Sequence, residues 1–224
     1  MIIYHGSKSI IKAPEFGKGK PYNDYGRGFY CTEYPDLAKE WACDDQGGGF
    51  ANKYELDIDA LKVLDLNGDG YCILHWISIL LRNRRFTLDS EIAEQAKNYI
   101  LQNFPVQTED VDVIKGYRAD DSYFSYARDF LQNTISVKRL SQAMKLGNLG
   151  NQIVLISPKA FNHIRFIGYE ETPQEVHLPL RKKRDELARA AYFTDRKGAG
   201  VSADDIYMLD IMRNEMKAND PRLQ

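Results

Sequence analysis

The chain opens on a short apolar run, Ile2, Ile3 and Tyr4, closed by Gly6 and Ser7. β-favouring residues ended by a glycine predict a strand over residues 1–6. Residues 10–27, "IIKAPEFGKGKPYNDYGR", keep no period and carry Gly17, Gly19, Pro21 and Gly26, which predicts a long surface loop. Loops of that length within one domain are more often functional than decorative. "GFYCT" resumes as a strand. Pro35 then suits the first turn of a helix over residues 35–44, with Leu37, Ala38, Trp41 and Ala42 on one face, so Trp41 is expected to point inward. "FANKYELDI" and "LKVLDLN" read as a strand pair, followed by helices over residues 73–84 and 90–104. "DVIKGYR" reads as a strand, and helices follow over residues 122–131 and 136–145, the second with Ser136 as N-cap and Gly147 as stop. "NQIVLIS" and "IRFIGYE" are the last strands. Short strands broken by unevenly spaced helices predict an α+β fold rather than a doubly wound sheet.

After Pro179 the pattern changes to two charged helical stretches, "LRKKRDELARAAYF" and "SADDIYMLDIMRNEMKAND", joined by "RKGAGV". The expected organisation is a domain over residues 1–178 and a helical extension over 179–224. Leu187, Tyr192, Ile206, Leu209 and Met212 would pack the extension on the sheet; the alternative is a docking surface for a partner.

Composition narrows the function classes. With 43% apolar residues in 224, one sizeable core is affordable. The 30 basic and 32 acidic side chains nearly cancel, so nucleic acid or an anionic membrane would need a local patch. Cys31, Cys43 and Cys72 are odd in number and lack C-x-x-C spacing, which fits reduced thiols in a cytoplasm rather than disulfides or zinc. "MIIYHGSKSI" has neither the basic start nor the apolar stretch of a signal peptide, and no 18-residue apolar window occurs, so a cytoplasmic protein without a membrane partner is expected.

Several motifs fail on inspection. "DLNGDG" matches the start of a calcium loop, but the twelfth place is Trp76 instead of a bidentate carboxylate, and an Asx turn explains the composition. His75 and His163 have no second histidine at metal-ligand spacing, so no metal is expected. "GKGK" lacks the G-K-[ST] of a phosphate loop. The run from Arg181 to Arg184 reads as a solvated helix face or as a holder of phosphates.

One constellation survives. "YHGS", then "GRGFYCT", then an aromatic eleven positions after Tyr30, at Trp41, then a strand "NQIVLIS", keep their order and spacing. Together they resemble the ADP-ribosyltransferase superfamily, in its diphtheria-toxin and poly-ADP-ribose-polymerase branch. "YNDYGRGFYCT", "GYRADDSYF" and "GNQIVLIS" in that order are similar to an uncharacterised bacterial group of that clan over about residues 1–170. The resemblance implies split antiparallel sheets with inserted helices and NAD as substrate, without a metal. Tyr30 and Trp41 would sandwich the nicotinamide, and His5 would hydrogen-bond the adenosine ribose. The Gly6 backbone would pair with the carboxamide, Ser7 would reach a ribose or support the slot, and Arg27 would meet the pyrophosphate from a loop lying over the dinucleotide.

The family's catalytic glutamate corresponds here to Gln152. Glutamine keeps the geometry and loses the charge, and a lost general base typically lowers a rate by about 10²- to 10⁴-fold. Asp120 and Asp121, in "RADDSYF", are candidates to replace it, with Asp121 preferred, or else an N-cap and its neighbour. Two classes therefore stand: a mono-ADP-ribosyltransferase, acting as a bacterial toxin or effector on a protein or nucleic acid and held by an antitoxin or immunity partner, or an NAD-binding or NAD-hydrolysing module without transfer.

Overall fold

The computed structural model describes residues 1–85, 87–118, 124–144, 150–198, 202 and 204–223. Among them the chain is mixed α+β, with two sheets and eight helices. The first sheet is antiparallel throughout, in the order β1 (Ile2–Ser7), β3 (Gly49–Leu56), β7 (Ile164–Thr172). The second has the order β2 (Phe29–Cys31), β6 (Asn151–Leu155), β5 (Val113–Tyr117), β4 (Val63–Asp65). The helices are α1 (Pro35–Ala42), α2 (Ile73–Asn83), α3 (Glu91–Asn103), α4 (Phe124–Leu131), α5 (Val137–Ala143), α6 (Pro158–Asn162), α7 (Gln174–Gly198) and α8 (Met208–Arg213). No described helix is long and apolar enough to cross a membrane.

Among the described residues, one two-bond bridge joins the sheets. The Tyr4 N–H donates to the Thr32 carbonyl at 2.8 Å and the Thr32 N–H to the Tyr4 carbonyl at 2.9 Å. One main core lies where α2, α3, α4 and α5 cover the second sheet, with Trp76, Phe104, Tyr126 and Phe130 buried in it. α2 is buried from Ile73 to Leu81, as expected of a helix whose apolar residues run all round. A smaller core between the sheets holds Ile3, Cys31, Tyr54 and Ile153.

The structure departs from several expectations. The segments expected to form a strand pair, β3 and β4, lie in different sheets, and β4 runs parallel to β5. The sheets are thus not wholly antiparallel: α2 and α3 supply the crossover that a parallel pair requires. α6 was not foreseen; its five residues are too few to show a period, and its start is fixed by the Ser157 hydroxyl, which accepts from the Ala160 N–H at 3.1 Å. α7 begins at Gln174 and contains Pro179, so a boundary at 179 falls inside a helix. Proline removes one helical donor, yet side chains on both sides of it tie α7 to the α1 region. Leu187 is 59% exposed instead of packed on the sheet, whereas Ala188, Met208 and Ile211 are buried. Of the other expected packing residues, Ile206 and Met212 are partly buried against the core, Leu209 is half-buried, and the Tyr192 side chain is outside the described set. The expected helix start at 122 and the Gly147 stop also fall outside the described residues.

The run from Arg181 to Arg184 braces α1. Arg184 makes a bidentate pair with buried Glu40, Nε to Oε2 at 3.0 Å and an Nη2 bond to Oε1 at 2.7 Å. Arg181 donates to the Cys43 carbonyl at 2.9 Å, and Lys182 pairs with Asp45 at 2.6 Å. Breaking a buried pair from one side leaves a desolvated charge, so Arg184→Ala is expected to cost about 3 kcal/mol. Thermal denaturation should show a melting temperature lower by roughly 6–12 °C, at about 2–4 °C per kcal/mol for a chain of this size. The double variant Arg184→Met with Glu40→Leu should recover most of that loss.

Candidate functional site

A cavity of about 730 Å³ opens where the sheets part, lined by His5, Tyr30, Trp41 and Gln152, the loop from Ile10 to Gly19, and Asn23, Asp24, Arg84 and Arg118. Register explains the placement. Tyr30 pairs with Val154, so Tyr30 and Gln152, two residues along β6, lie on the same face of the sheet. His5 follows the bridging residue Tyr4, and its Nδ1 lies 2.7 Å from the Tyr30 carbonyl. A carbonyl accepts only, so Nδ1 carries the proton and Nε2 keeps its lone pair. The ring also stacks on Phe29 at 4.3 Å between centroids. Burial, partly offset by the Tyr30 bond, holds the His5 pKa below its ordinary value, so the imidazole is neutral and presents an acceptor.

Trp41 reaches the cavity because Gly6 lets α1 come close. A Cβ at Gly6 would lie 2.0 Å from the Ala38 carbonyl oxygen and 2.9 Å from the Trp41 Cβ. Glycine is thus demanded by the approach of a helix. Gly6 and Ser7 do not line the cavity; the Ser7 hydroxyl donates to the Ser9 carbonyl at 2.6 Å and accepts from Asn52 at 3.0 Å. Of the two offices expected of Ser7, support is the one its contacts describe. Arg27 lies in a separate depression with Tyr25 and Arg82, and donates to the Gly17 carbonyl at 3.2 Å. The expected loop does form one wall of the cavity, but its cations there are Lys12 and Lys18. Asp120 and Asp121 lie outside the described residues.

Asn52 holds the loop, and sequence reasoning passed it over. Fully buried in β3, it accepts from the Ile11 N–H at 2.9 Å while its amide donates toward Ser7 and the Ser9 carbonyl. An asparagine inside a strand, where the residue is disfavoured, was the available signal. Farther along, the Tyr30 hydroxyl donates to the Gly26 carbonyl at 2.6 Å, and the Tyr25 hydroxyl donates to the Tyr117 carbonyl at 2.5 Å. The Trp76 indole N–H reaches both Tyr25 and Tyr117 at 3.0 Å. Burial pushes the Tyr25 and Tyr30 hydroxyls far above their usual range, so both remain protonated donors.

Two polar atoms on the cavity residues are shut off from solvent without a hydrogen-bond partner among the described residues: the Trp41 indole nitrogen and the Gln152 amide oxygen. Each such group costs about 1–3 kcal/mol, which a ligand that supplies an acceptor and a donor would offset. Lys12, Lys18, Arg84 and Arg118 share the wall with Glu15 and Asp24, with Lys18 on Glu15 at 2.7 Å and Arg84 on Asp24 at 3.5 Å. Cations outnumber carboxylates, which favours an anionic ligand. No group of His, Cys, Asp and Glu suited to a metal ion occurs among the described residues. The Asx turn expected in "DLNGDG" is present, with Asn67 N–H donating to Asp65 at 2.9 Å.

The lowered pKa values of His5 and of His75, both due first to burial, predict a pH effect. In the unfolded chain each returns to about 6.5 and binds a proton that the folded state resists. The stability from these groups is therefore complete above that pH and is lost as the pH falls below it. Urea unfolding between pH 7.5 and 5.5 should show stability declining on acidification. His5→Asn, which keeps an amide donor for the Tyr30 carbonyl, should flatten that slope.

Comparison with known proteins identifies a family. No match is found among curated proteins, and none among solved structures. A family model described as "Protein of unknown function (DUF3990)" matches residues 1–166. That span includes both sheets up to the first residues of β7 and every residue of the cavity wall, so the chain belongs to the DUF3990 family.

Proposed function

We propose that this protein is an NAD-dependent mono-ADP-ribosyltransferase, a toxin or effector that moves ADP-ribose from NAD⁺ to a macromolecular acceptor in a bacterial cytoplasm. The observation that carries the reading is the meeting of His5, Tyr30, Trp41 and Gln152, scattered over the first two thirds of the chain, on one cavity wall. Their chemistry suits the substrate. Tyr30 and Trp41 line the same cavity and would supply aromatic surface for the nicotinamide once the Arg118 guanidinium, which lies over the Trp41 ring, moves aside. The neutral His5 accepts from a ribose hydroxyl, and the unpartnered Gln152 oxygen accepts from the other ribose.

In the reaction the bond from ribose C1′ to the nicotinamide nitrogen breaks, and nicotinamide leaves with the electron pair. The acceptor's oxygen or nitrogen forms the new bond to C1′ and releases its proton. The transition state carries positive charge on the ribose, which fixed dipoles stabilise. Gln152 contributes a dipole where a carboxylate would contribute a charge, so slow turnover is expected. Asp121 remains the candidate for the missing charge, with buried Asp24 on the wall beside it in role.

The glutamine also favours a second reading, an NAD hydrolase or an NAD binder without transfer. As for the acceptor, Arg181, Lys182 and Arg184 are engaged within the chain, which leaves the loop cations, exposed Lys20 among them, to support a nucleic-acid acceptor. The deciding experiment incubates the protein with adenine-labelled NAD⁺ and bacterial lysate. Label on macromolecules supports transfer, free nicotinamide with unbound label supports hydrolysis, and neither sinks both activities. Tyr30→Ala and Trp41→Ala should each abolish the signal. Gln152→Glu should raise it by about tenfold or more, from the general-base range.

A further inference from the structure

Arg118 stands in the aromatic site. Its guanidinium carbon lies 4.6 Å from the centre of the Trp41 ring, and both side chains line the cavity. It directly follows β5, whose last carbonyl, that of Tyr117, receives both the Tyr25 hydroxyl and the Trp76 indole N–H, at 2.5 and 3.0 Å. The backbone just before Arg118 is therefore pinned to the core. A planar guanidinium on an aromatic face uses the same surface as a planar ligand ring.

We infer that Arg118 is a specificity-determining residue that makes the site select a planar ring joined to a phosphate over the ring alone. A ligand ring that takes the Trp41 face must displace the guanidinium and loses whatever that contact was worth. A ligand that also carries a phosphate returns a charge-assisted, two-pronged partner to the same guanidinium. Uncharged nicotinamide meets only the loss, whereas NAD⁺ meets the loss and the gain. The inference rests on the NAD reading above, but its failure is separable from that reading's failure.

The test measures binding of nicotinamide, nicotinamide mononucleotide and NAD⁺ by tryptophan quenching, with Trp41→Phe reporting the background of core Trp76. Arg118→Ala should bind nicotinamide about two- to fivefold more tightly, because the cation–π contact no longer competes. It should bind NAD⁺ and the mononucleotide about tenfold more weakly, through loss of a charge-assisted contact. Arg118→Lys keeps the charge without the flat face, so it should gain nicotinamide affinity while losing less for the phosphate-bearing ligands. This second variant also guards against misfolding of the first. If NAD⁺ binds the wild type but both variants change all three affinities in the same direction, the role given to Arg118 is wrong. If NAD⁺ at millimolar concentration fails to bind the wild type, both this role and the NAD reading fall.

Discussion

The two hydrogen bonds between Tyr4 and Thr32 join the sheets, and the site depends on them. Immediately beyond the bridge β1 and β2 diverge, each to pair within its own sheet. His5, one residue past the bridge, and Tyr30, two residues before it, are still close enough for the imidazole to donate to the tyrosine carbonyl, but no further backbone pairing joins their strands among the described residues. The gap so formed is the cavity. A continuous sheet would have closed it.

A second constraint fixes the helix that closes one side. α1 is held from below by contact with Gly6 and from outside by the Glu40 pair with Arg184 of α7. The family match ends before α7 begins, at residue 166 against Gln174, yet α7 supports the helix that carries Trp41. The charged C-terminal stretch thus has a structural office: its cations neutralise a buried carboxylate one residue from the aromatic side chain. A charge run that resembles a solvated face in one dimension is largely committed in three.

The loop over residues 10–27 combines irregular backbone with firm attachment. Ile11 is clamped by Asn52 and by the Tyr54 hydroxyl, and its far end by the Tyr25 and Tyr30 hydroxyls. Buried polar groups of this kind are stable only when satisfied, so the network rigidifies the wall. The exceptions are the Trp41 indole nitrogen and the Gln152 amide oxygen, which have no hydrogen-bond partner among the described residues.

Strands and helices were largely legible in the sequence, because the period of Leu37, Ala38, Trp41 and Ala42, or the run of Ile2, Ile3 and Tyr4, is written in near neighbours. On the cavity wall, His5, Tyr30, Trp41 and Gln152 are residues that motif spacing had singled out. Asn52, Arg84 and Arg118 were not, since each acts through residues distant in the chain. The partner of β4 could not be read either. Strand pairing depends on which backbone edges meet after α2 and α3 have folded over the sheet, and a parallel pair carries no short-range signal. Sequence by itself determined the local elements and the types of residue available for chemistry. Tertiary structure decided that β1 and β2 part just past one bridge, that Arg27 faces a different depression while Arg118 covers Trp41, and that Gly6 serves a helix, because these follow from long-range hydrogen bonds and close packing that no local period encodes.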